Sequence, residues 1–379
     1  MAAREIRNAN GLTTTIVLPP REGFSPQRVG AIGMMVQLLA DPADTVIGRS
    51  CAPAPFASPR FVPARKPLWP PFGRNARYAA GVTATLKSLC PARVEVHNRA
   101  DLALLLARSL PQTPFALFVH NDPLRMRGAR RAAERAELLA RMQVICVSAW
   151  LRDRFMNGVA TAAVPPALHL PNAVDIAALP PRLPAAAREK TVLFVGRVVA
   201  DKGADAFVRA WGAVGPSLPG WRASIIGADR FTADSPDTPF TRALRPEAAR
   251  HGVAMTGYLP HAEVLRTMAR ASIVVAPSRW QEPFGLTALE ALASGAALIC
   301  SAKGGLPEVA GEAALYADPD HPGALEAAIR LLANDTARRA ALAEAGLARA
   351  QGFDARVIRA RLAALRGRAV ADNYLDKVA

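Results

Sequence analysis

Residues 272–300, SIVVAPSRWQEPFGLTALEALASGAALIC, decide the fold. A β-branched run (272–277) leads through a Pro-Phe-Gly turn at 283–285 into an apolar helical pattern (285–294). Gly295 ends that pattern, and a second apolar run, ALIC (297–300), follows. A strand, a crossover helix and a strand predict parallel pairing, because an antiparallel pair needs only a short hairpin. The turn-to-helix junction also carries chemistry. It offers unpaired backbone N–H groups and a positive dipole end to an anion. Glu282 lies before the turn and Glu290 inside the helix, so a carboxylate stands on each side.

The same rhythm extends in both directions. Upstream, candidate strands at 13–19, 93–97, 115–120, 143–148 and 168–171 alternate with helical patterns at 27–40, 74–89, 100–110, 126–141 and 149–157. A Pro/Ala-rich stretch at 176–190 reads as a linker. Beyond it, strands at 191–196, 222–227, 253–257, 272–277 and 297–300 alternate with helices at 203–214, 241–251, 261–270, 285–294, 322–333 and 336–350. A last helix runs from 354 to about 368. This order predicts an α/β protein with two Rossmann-like domains facing a central cleft. At 379 residues the chain is too long for one ordinary core. Ligands of open parallel sheets gather at the carboxyl ends of strands. That rule singles out Glu22-Gly23-Phe24-Ser25, His97-Asn98, His120-Asn121 and Ser148.

Composition is that of a globular chain, 51% hydrophobic and 21% charged, and Glu290 interrupts its longest apolar stretch before membrane-spanning length. The first ten residues lack a signal-peptide core, which predicts a cytoplasmic location. Four scattered cysteines (Cys51, Cys90, Cys146, Cys300) suit neither a zinc site nor a disulfide framework, and buried free thiols are expected. The net charge of +16 falls mostly in residues 1–180. An anionic partner explains that asymmetry better than an arginine-rich composition does. Two segments concentrate the charge. RFVPARKPLWPPFGRNARY (60–78) interleaves cations with Phe61, Trp69, Phe72 and Tyr78, and RMRGARRAAERAELLARM (125–142) carries Arg127, Arg130, Arg131 and Arg135. An acidic membrane face, a single-stranded nucleic acid and plain solvated surface all fit such segments.

VLFVGRVVADKG (192–203) runs from a strand into a glycine turn with Arg197 and Lys202 just beyond, two cations suited to a diphosphate. The glycines do not spell a dinucleotide fingerprint. Glu282 and Glu290 are eight positions apart, about 12 Å along a helix axis, too far for a glycosidase acid/base pair. Within an apolar helix Glu290 needs a partner, either a sugar or ribose diol or a structural cation. Asp318-Pro319-Asp320 imitates a metal-binding D-x-D but precedes a helix without a third ligand, so a capped turn is expected and no metal.

GRVVADKG (196–203), EPFGLTALEALASG (282–295) and GGLPEV (304–309) together resemble the retaining GT-B glycosyltransferases of group 1, glycosyltransferase family 4. The resemblance covers most of residues 190–350. It implies that Arg197 and Lys202 hold a nucleotide diphosphate, that Glu282 and the backbone of Phe284, Gly285 and Leu286 contact the donor sugar and phosphates, and that Glu290 binds the ribose. His120, in LFVHND, occupies the place of a histidine near the transferred sugar, with His97 a weaker candidate. Residues 21–27, leading to Gly30 and Gly33, correspond to a glycine-rich first loop without its adjacent glycines. LPNAVD (170–175) resembles the interdomain LPNGVD, with Ala173 for glycine.

The implied organisation is an acceptor-side domain at 1–178 joined by the returning helix 353–379, a linker at 179–190 and a donor domain at 191–352. The implied reaction is retaining, metal-independent transfer of a sugar from a nucleotide-sugar donor to an acceptor hydroxyl, without cofactor or dedicated nucleophile. With the basic first half, the acceptor is expected to be lipid-linked and phosphate-bearing, on an anionic inner membrane face. Competing readings are a sugar-nucleotide epimerase or phosphorylase of the same fold, and a non-catalytic binder of nucleic acid or other anions.

Overall fold

The β-branched runs pair as parallel strands in two separate sheets. The computed structural model describes residues 13–50, 54–67, 73–160, 162, 164–230 and 234–375. These divide into two compact units: the residues up to Ala173 with those from Ala355 onward, and Val174–Asp354.

The first unit contains β1 (Thr14–Val17), an antiparallel hairpin of β2 (Phe24–Ser25) and β3 (Arg28–Val29), β4 (Thr45–Gly48), β5 (Arg60–Pro63), β6 (Arg93–His97), β7 (Phe115–Val119), β8 (Gln143–Cys146) and β9 (Leu168–His169). Its sheet runs β5-β4-β1-β6-β7-β8-β9, parallel throughout. Helices α1 (Ala31–Leu39), α2 (Arg74–Leu89), α3 (Ala100–Ser109), α4 (Ala132–Arg141) and α5 (Ala149–Met156) supply most of its connections. All five residues of β6 are buried, as a strand covered on both faces requires.

Several local expectations change. Strands β4 and β5 add to the expected set, with no described helix between them. The helix expected from 27 begins at Ala31, because the β2–β3 hairpin comes first. The helix expected from 126 begins at Ala132: Asp122 caps a 3-10 turn at Pro123–Arg125, and Gly128 turns the chain at φ +83°. Cys146 and Cys300 are buried free thiols, but Cys90 is exposed, and Cys51 lies outside the described residues.

Parts of the basic segments turn inward. Phe61 packs against the core around Phe24, and buried Tyr78 donates its hydroxyl proton to the Leu18 carbonyl at 2.7 Å; Trp69 and Phe72 lie outside the described residues. Arg135 is buried and donates to the carbonyls of Ala129, Arg130, Phe155 and Asn157. Its charge thus closes loops instead of facing a partner. Arg127, Arg130 and Arg131 remain exposed.

The second unit contains β10 (Glu189–Val195), β11 (Arg222–Ile226), β12 (Val253–Gly257), β13 (Ala271–Ala276), β14 (Ala297–Cys300) and β15 (Ala314–Tyr316), ordered β12-β11-β10-β13-β14-β15 and all parallel. Its helices are α6 (Ala204–Val214), α7 (Pro239–Arg250), α8 (His261–Arg270), α9 (Leu286–Ala293), α10 (Leu306–Ala310), α11 (Ala324–Asn334) and α12 (Thr336–Ala350). One core cluster gathers alternate strand residues, Val192 and Phe194 with Ile273 and Val275, against Phe207, Trp211 and Ile329. The stretch expected as a linker at 179–190 belongs to this unit, and its last two residues open β10. Arg188 ties it down by donating to the carbonyls of Ala271 and Ser294, the C-caps of α8 and α9.

The last helix, α13 (Ala355–Leu375), belongs to the first unit. Ala355, Ile358 and Leu362 pack against Phe118, Ile145 and Leu170 at helical spacing. One turn further on, Arg366 grips buried Glu95 in a two-pronged pair (2.9 and 2.8 Å) and reaches Asp44 at 2.9 Å. Burial raises the Glu95 pKa, but the charge and hydrogen bonds of Arg366, with Arg93, outweigh it and bring the value down to about 2. For Asp44 burial wins and the pKa is raised.

Replacing Arg366 by Met removes the shared cation from two buried carboxylates, and urea unfolding is expected to show a loss of about 3–5 kcal/mol. Because the Glu95 pKa is depressed, its contribution is present above the ordinary carboxylate range and lost as pH falls toward about 2. The R366M deficit should therefore shrink on acidification; a deficit independent of pH would contradict this account.

Candidate functional site

In the second sheet the chain winds outward from β10 through β11 to β12, then returns to β13 on the other side of β10. Such a switch point opens a crevice between the two loops that leave the central strands. The loop after β10 carries Arg197 and Lys202, and the loop after β13 carries Glu282 to Gly285. Topology therefore brings the two sequence motifs together.

The junction between these loops is close-packed. Lys202 ends a 3-10 turn, and Gly203 follows at φ +73°. A Cβ on Gly203 would lie 2.0 Å from the Pro277 carbonyl oxygen, so only glycine lets the turn sit against the end of β13. The backbone N–H groups of Arg279 and Trp280 both donate to the Asp201 carbonyl, at 2.9 and 3.1 Å. Arg279 forms a two-pronged pair with Asp205 (2.7 and 3.0 Å), bonds Asp320 at 2.6 Å and donates to the Ala200 carbonyl at 2.9 Å. These contacts hold Lys202 Nζ 2.5 Å from Glu282 Oε1. Glu282 is mostly buried and Lys202 about a quarter exposed, so the pair lies at a surface a ligand can reach.

The other side of Glu282 is fixed by the GGLPEV loop. Gly305 N donates to the Glu282 carbonyl at 2.7 Å, and Gly304 N to Gln281 Oε1 at 2.8 Å. Gly285 caps α9 at φ +108°. Phe284 is buried edge-on against Phe353, so the EPFG element presents backbone and not an aromatic face. Leu286 opens α9, whose first N–H groups have no partner within the helix. Arg197 is half-buried and makes no ion pair among the described residues. One cation, Lys202, thus meets the carboxylate that precedes the amino end of α9, and Arg197 lies on the same loop as Lys202, an arrangement with the charge to receive an anion.

Glu290 has a partner that the sequence does not signal. Its Oε1 lies 2.7 Å from Nε2 of His261, the first residue of α8. The structural partner weighed for Glu290 against a diol is thus a histidine and not an arginine. Among the described residues no group of three or more metal-ligating side chains occurs. Asp318 accepts from Asp320 N at 3.0 Å and closes the turn, while the Asp320 carboxylate pairs with Arg279.

In the first unit the switch point lies between β1 and β6. His97 ends β6, and His120 follows the neighbouring β7. His97 Nδ1 and His120 Nε2 lie 2.9 Å apart, and His97 stacks on Phe118. Asn98, in the left-handed region at φ +56°, accepts from the backbone N–H of both His120 and Asn121. Burial pushes the His97 pKa down to about 4 and the His120 pKa well below its usual range, so both rings are neutral at pH 7. They line a small cavity with Glu95, Asn172 and Arg366. In the glycine-bearing first loop, Glu22 Oε1 accepts from Gly33 N at 2.8 Å, so the chain's own carboxylate occupies the amino end of α1.

Residues 175–349 match the family model "Glycosyl transferases group 1". The chain is 30% identical over 191 residues to the D-inositol 3-phosphate glycosyltransferase of Corynebacterium glutamicum, covering 49% of this chain and 45% of that protein. It spans about half the length of this and similar curated relatives. A lipopolysaccharide core biosynthesis mannosyltransferase of Rhizobium meliloti is 29% identical over 315 residues, covering 71% of this chain and 88% of that one. Among solved structures, sucrose-phosphate synthase of Thermosynechococcus elongatus superposes with TM-score 0.74 at 20% identity, covering 95% and 100%. Anabaena HepE, in complex with UDP-glucose, gives 0.72 at 18%, covering 94% and 99%. The fold is that of the GT-B glycosyltransferases, and the second unit carries a group 1 glycosyltransferase domain.

Gly304 stands at φ +63°, where a Cβ would lie 2.2 Å from the Glu282 carbonyl oxygen. Gly304→Ala should force the two loops apart and cost about 2 kcal/mol, which for a unit of this size lowers the unfolding temperature by roughly 4–8 °C. A thermal scan unchanged from the parent would show that the loops are not held in this contact.

Proposed function

We propose that the protein is a retaining, metal-independent glycosyltransferase that moves a sugar from a nucleotide-sugar donor to an acceptor hydroxyl in polysaccharide or glycolipid assembly. The observation that carries this is the Lys202–Glu282 pair at 2.5 Å beside the amino end of α9. Supporting it are the family match across the second unit and the curated relatives, whose names specify sugar transfer.

When the bond from sugar to diphosphate breaks, negative charge grows on the departing diphosphate. Fixed donors aimed at that charge stabilise the transition state more than the ground state. Lys202, Arg197 and the α9 amides, including those at Leu286 and beyond, are assigned this task. Glu282, already bonded to Lys202, keeps its second oxygen for a sugar hydroxyl and holds the lysine in place. Phe284 and Gly285 shape the backbone around the phosphates, Glu290 takes the ribose diol, and His120 orients the sugar through a neutral ring. The protein's own cations carry the leaving-group charge, so no metal is required and chelation should leave turnover unchanged.

The acceptor is proposed to be lipid-linked and phosphate-bearing. The exposed arginines at 127, 130 and 131 and the phosphate in the name of one set of relatives support this. No described helix is long and apolar enough to cross a membrane, so contact with an anionic membrane face would be peripheral and electrostatic.

Lys202→Ala and Glu282→Ala should each cut turnover by about 10²–10³-fold, the usual size for loss of one fixed transition-state contact, with circular dichroism unchanged. The measurement is release of nucleoside diphosphate from UDP-, GDP- and ADP-sugars, after thermal-shift screening has picked the donor. Near-parental turnover by both variants would sink the assignment. For the membrane contact, binding to vesicles containing phosphatidylglycerol should weaken by about fivefold for each of Arg127, Arg130 and Arg131 changed to Ser, since each basic residue near such a surface contributes about 1 kcal/mol. Vesicle binding indifferent to these changes would remove that part.

A further inference from the structure

We propose that His261 positions the Glu290 carboxylate for the nucleotide ribose, and that its protonation sets how well an anionic nucleotide is accepted there. The proposal rests on the assignment of Glu290 to the ribose.

The contact is specific. His261 Nε2 and Glu290 Oε1 are 2.7 Å apart; the histidine is 47% exposed and the glutamate 13%. His261 is the first residue of α8, where the helix dipole disfavours a cation, so the placement does not serve α8 itself. Something else must hold an imidazolium there, and Glu290 is the group within reach. The other elements that pack against α8 offer no substitute. β13 has no charged residue, and α9 has only Glu290. β10 opens with Glu189 and Lys190, and Glu189 pairs with Arg270 at the far end of α8. On α8 itself Glu263 pairs with Arg266.

A diol binds a carboxylate best when the two oxygens are fixed in orientation. The His261 bond to one oxygen sets that orientation and leaves the other free. Charge adds a second effect. Protonated His261 makes its bond to Glu290 charge-assisted, which fixes the carboxylate for the ribose more firmly than a neutral ring does. The hydrogen bond and charge of Glu290 raise the His261 pKa above its ordinary value despite partial burial, which places the titration where nucleotide binding can feel it. Above that pKa a neutral ring can still donate from Nε2, but the charge is gone.

The test is affinity for UDP, GDP and ADP by calorimetry between pH 5.5 and 9, in the full chain and in H261Q, H261A and E290A, with inorganic pyrophosphate as the ribose-free probe. At each pH the variants are compared with the parent on the same ligand, so the ligand's own ionisation cancels. In the best-binding nucleotide, H261Q should bind about fivefold more weakly than the parent at low pH, the worth of a charge-assisted over a neutral hydrogen bond, and about equally at high pH. H261A should be weaker throughout, and pyrophosphate should be indifferent to both changes. Parallel pH curves for the parent and H261Q, with E290A weakened, would overturn the role of His261 and leave the ribose assignment standing. Nucleotide affinity unchanged in E290A would remove the ribose assignment, and the proposal with it. Equal weakening of pyrophosphate by H261Q would overturn the proposal by showing a general distortion.

Discussion

Lys202 and Glu282 can meet only because β10 and β13 are adjacent in the sheet, though 80 residues separate the two side chains. That adjacency is the constraint on which the packing of the second unit's two loops depends. The glycines at 203 and 304 let backbone approach backbone at distances no Cβ permits. Arg279, with its bonds to Asp205, Asp320 and the Ala200 carbonyl, then locks the loops in register. An ion pair this close to the surface stabilises little by itself. Its value is positional, since it fixes a cation beside the carboxylate that shortly precedes α9.

The first unit uses the same topology with different chemistry. His97 ends β6 and His120 follows the adjacent β7; their rings meet at 2.9 Å, and burial keeps both neutral. Beneath them the Glu95–Arg366–Asp44 network ties α13 to the sheet. Buried ion pairs are costly to form and costlier to break. This one therefore makes the return of the chain's last helix a condition for the surroundings of His97, which shares a strand with Glu95.

Much of this was legible in the chain itself. Parallel βα rhythm, the crossover at 272–300 and the helix patterns at 74–89, 261–270 and 336–350 follow from hydrophobic periodicity, because each element is long enough to show its period. Strands β4 and β5 have no described helix between them, and the β2–β3 hairpin has two residues a strand, so these, with the short β15, fall outside the strand–helix rhythm. The carboxylates at 282 and 290 and the cations at 197 and 202 stood out through their glycine turns. His261, Arg279 and Asp205 did not, since each sits at an ordinary helical or loop position and acquires meaning only from a distant neighbour. Arg135 and Tyr78 show the opposite error: residues whose type suggested an outward-facing surface are buried and bonded to main-chain carbonyls.

The sequence by itself determined the alternation of elements and the two parallel sheets, and it marked the cations and carboxylates set at glycine turns, because these depend on short-range pattern and backbone sterics. Tertiary structure alone decided which of them are partners: Lys202 with Glu282, His261 with Glu290, His97 with His120, Arg366 with Glu95 and Asp44. The physical reason is that partnership depends on strand order and on loop packing within a few tenths of an ångström, and neither leaves a periodic trace in the chain.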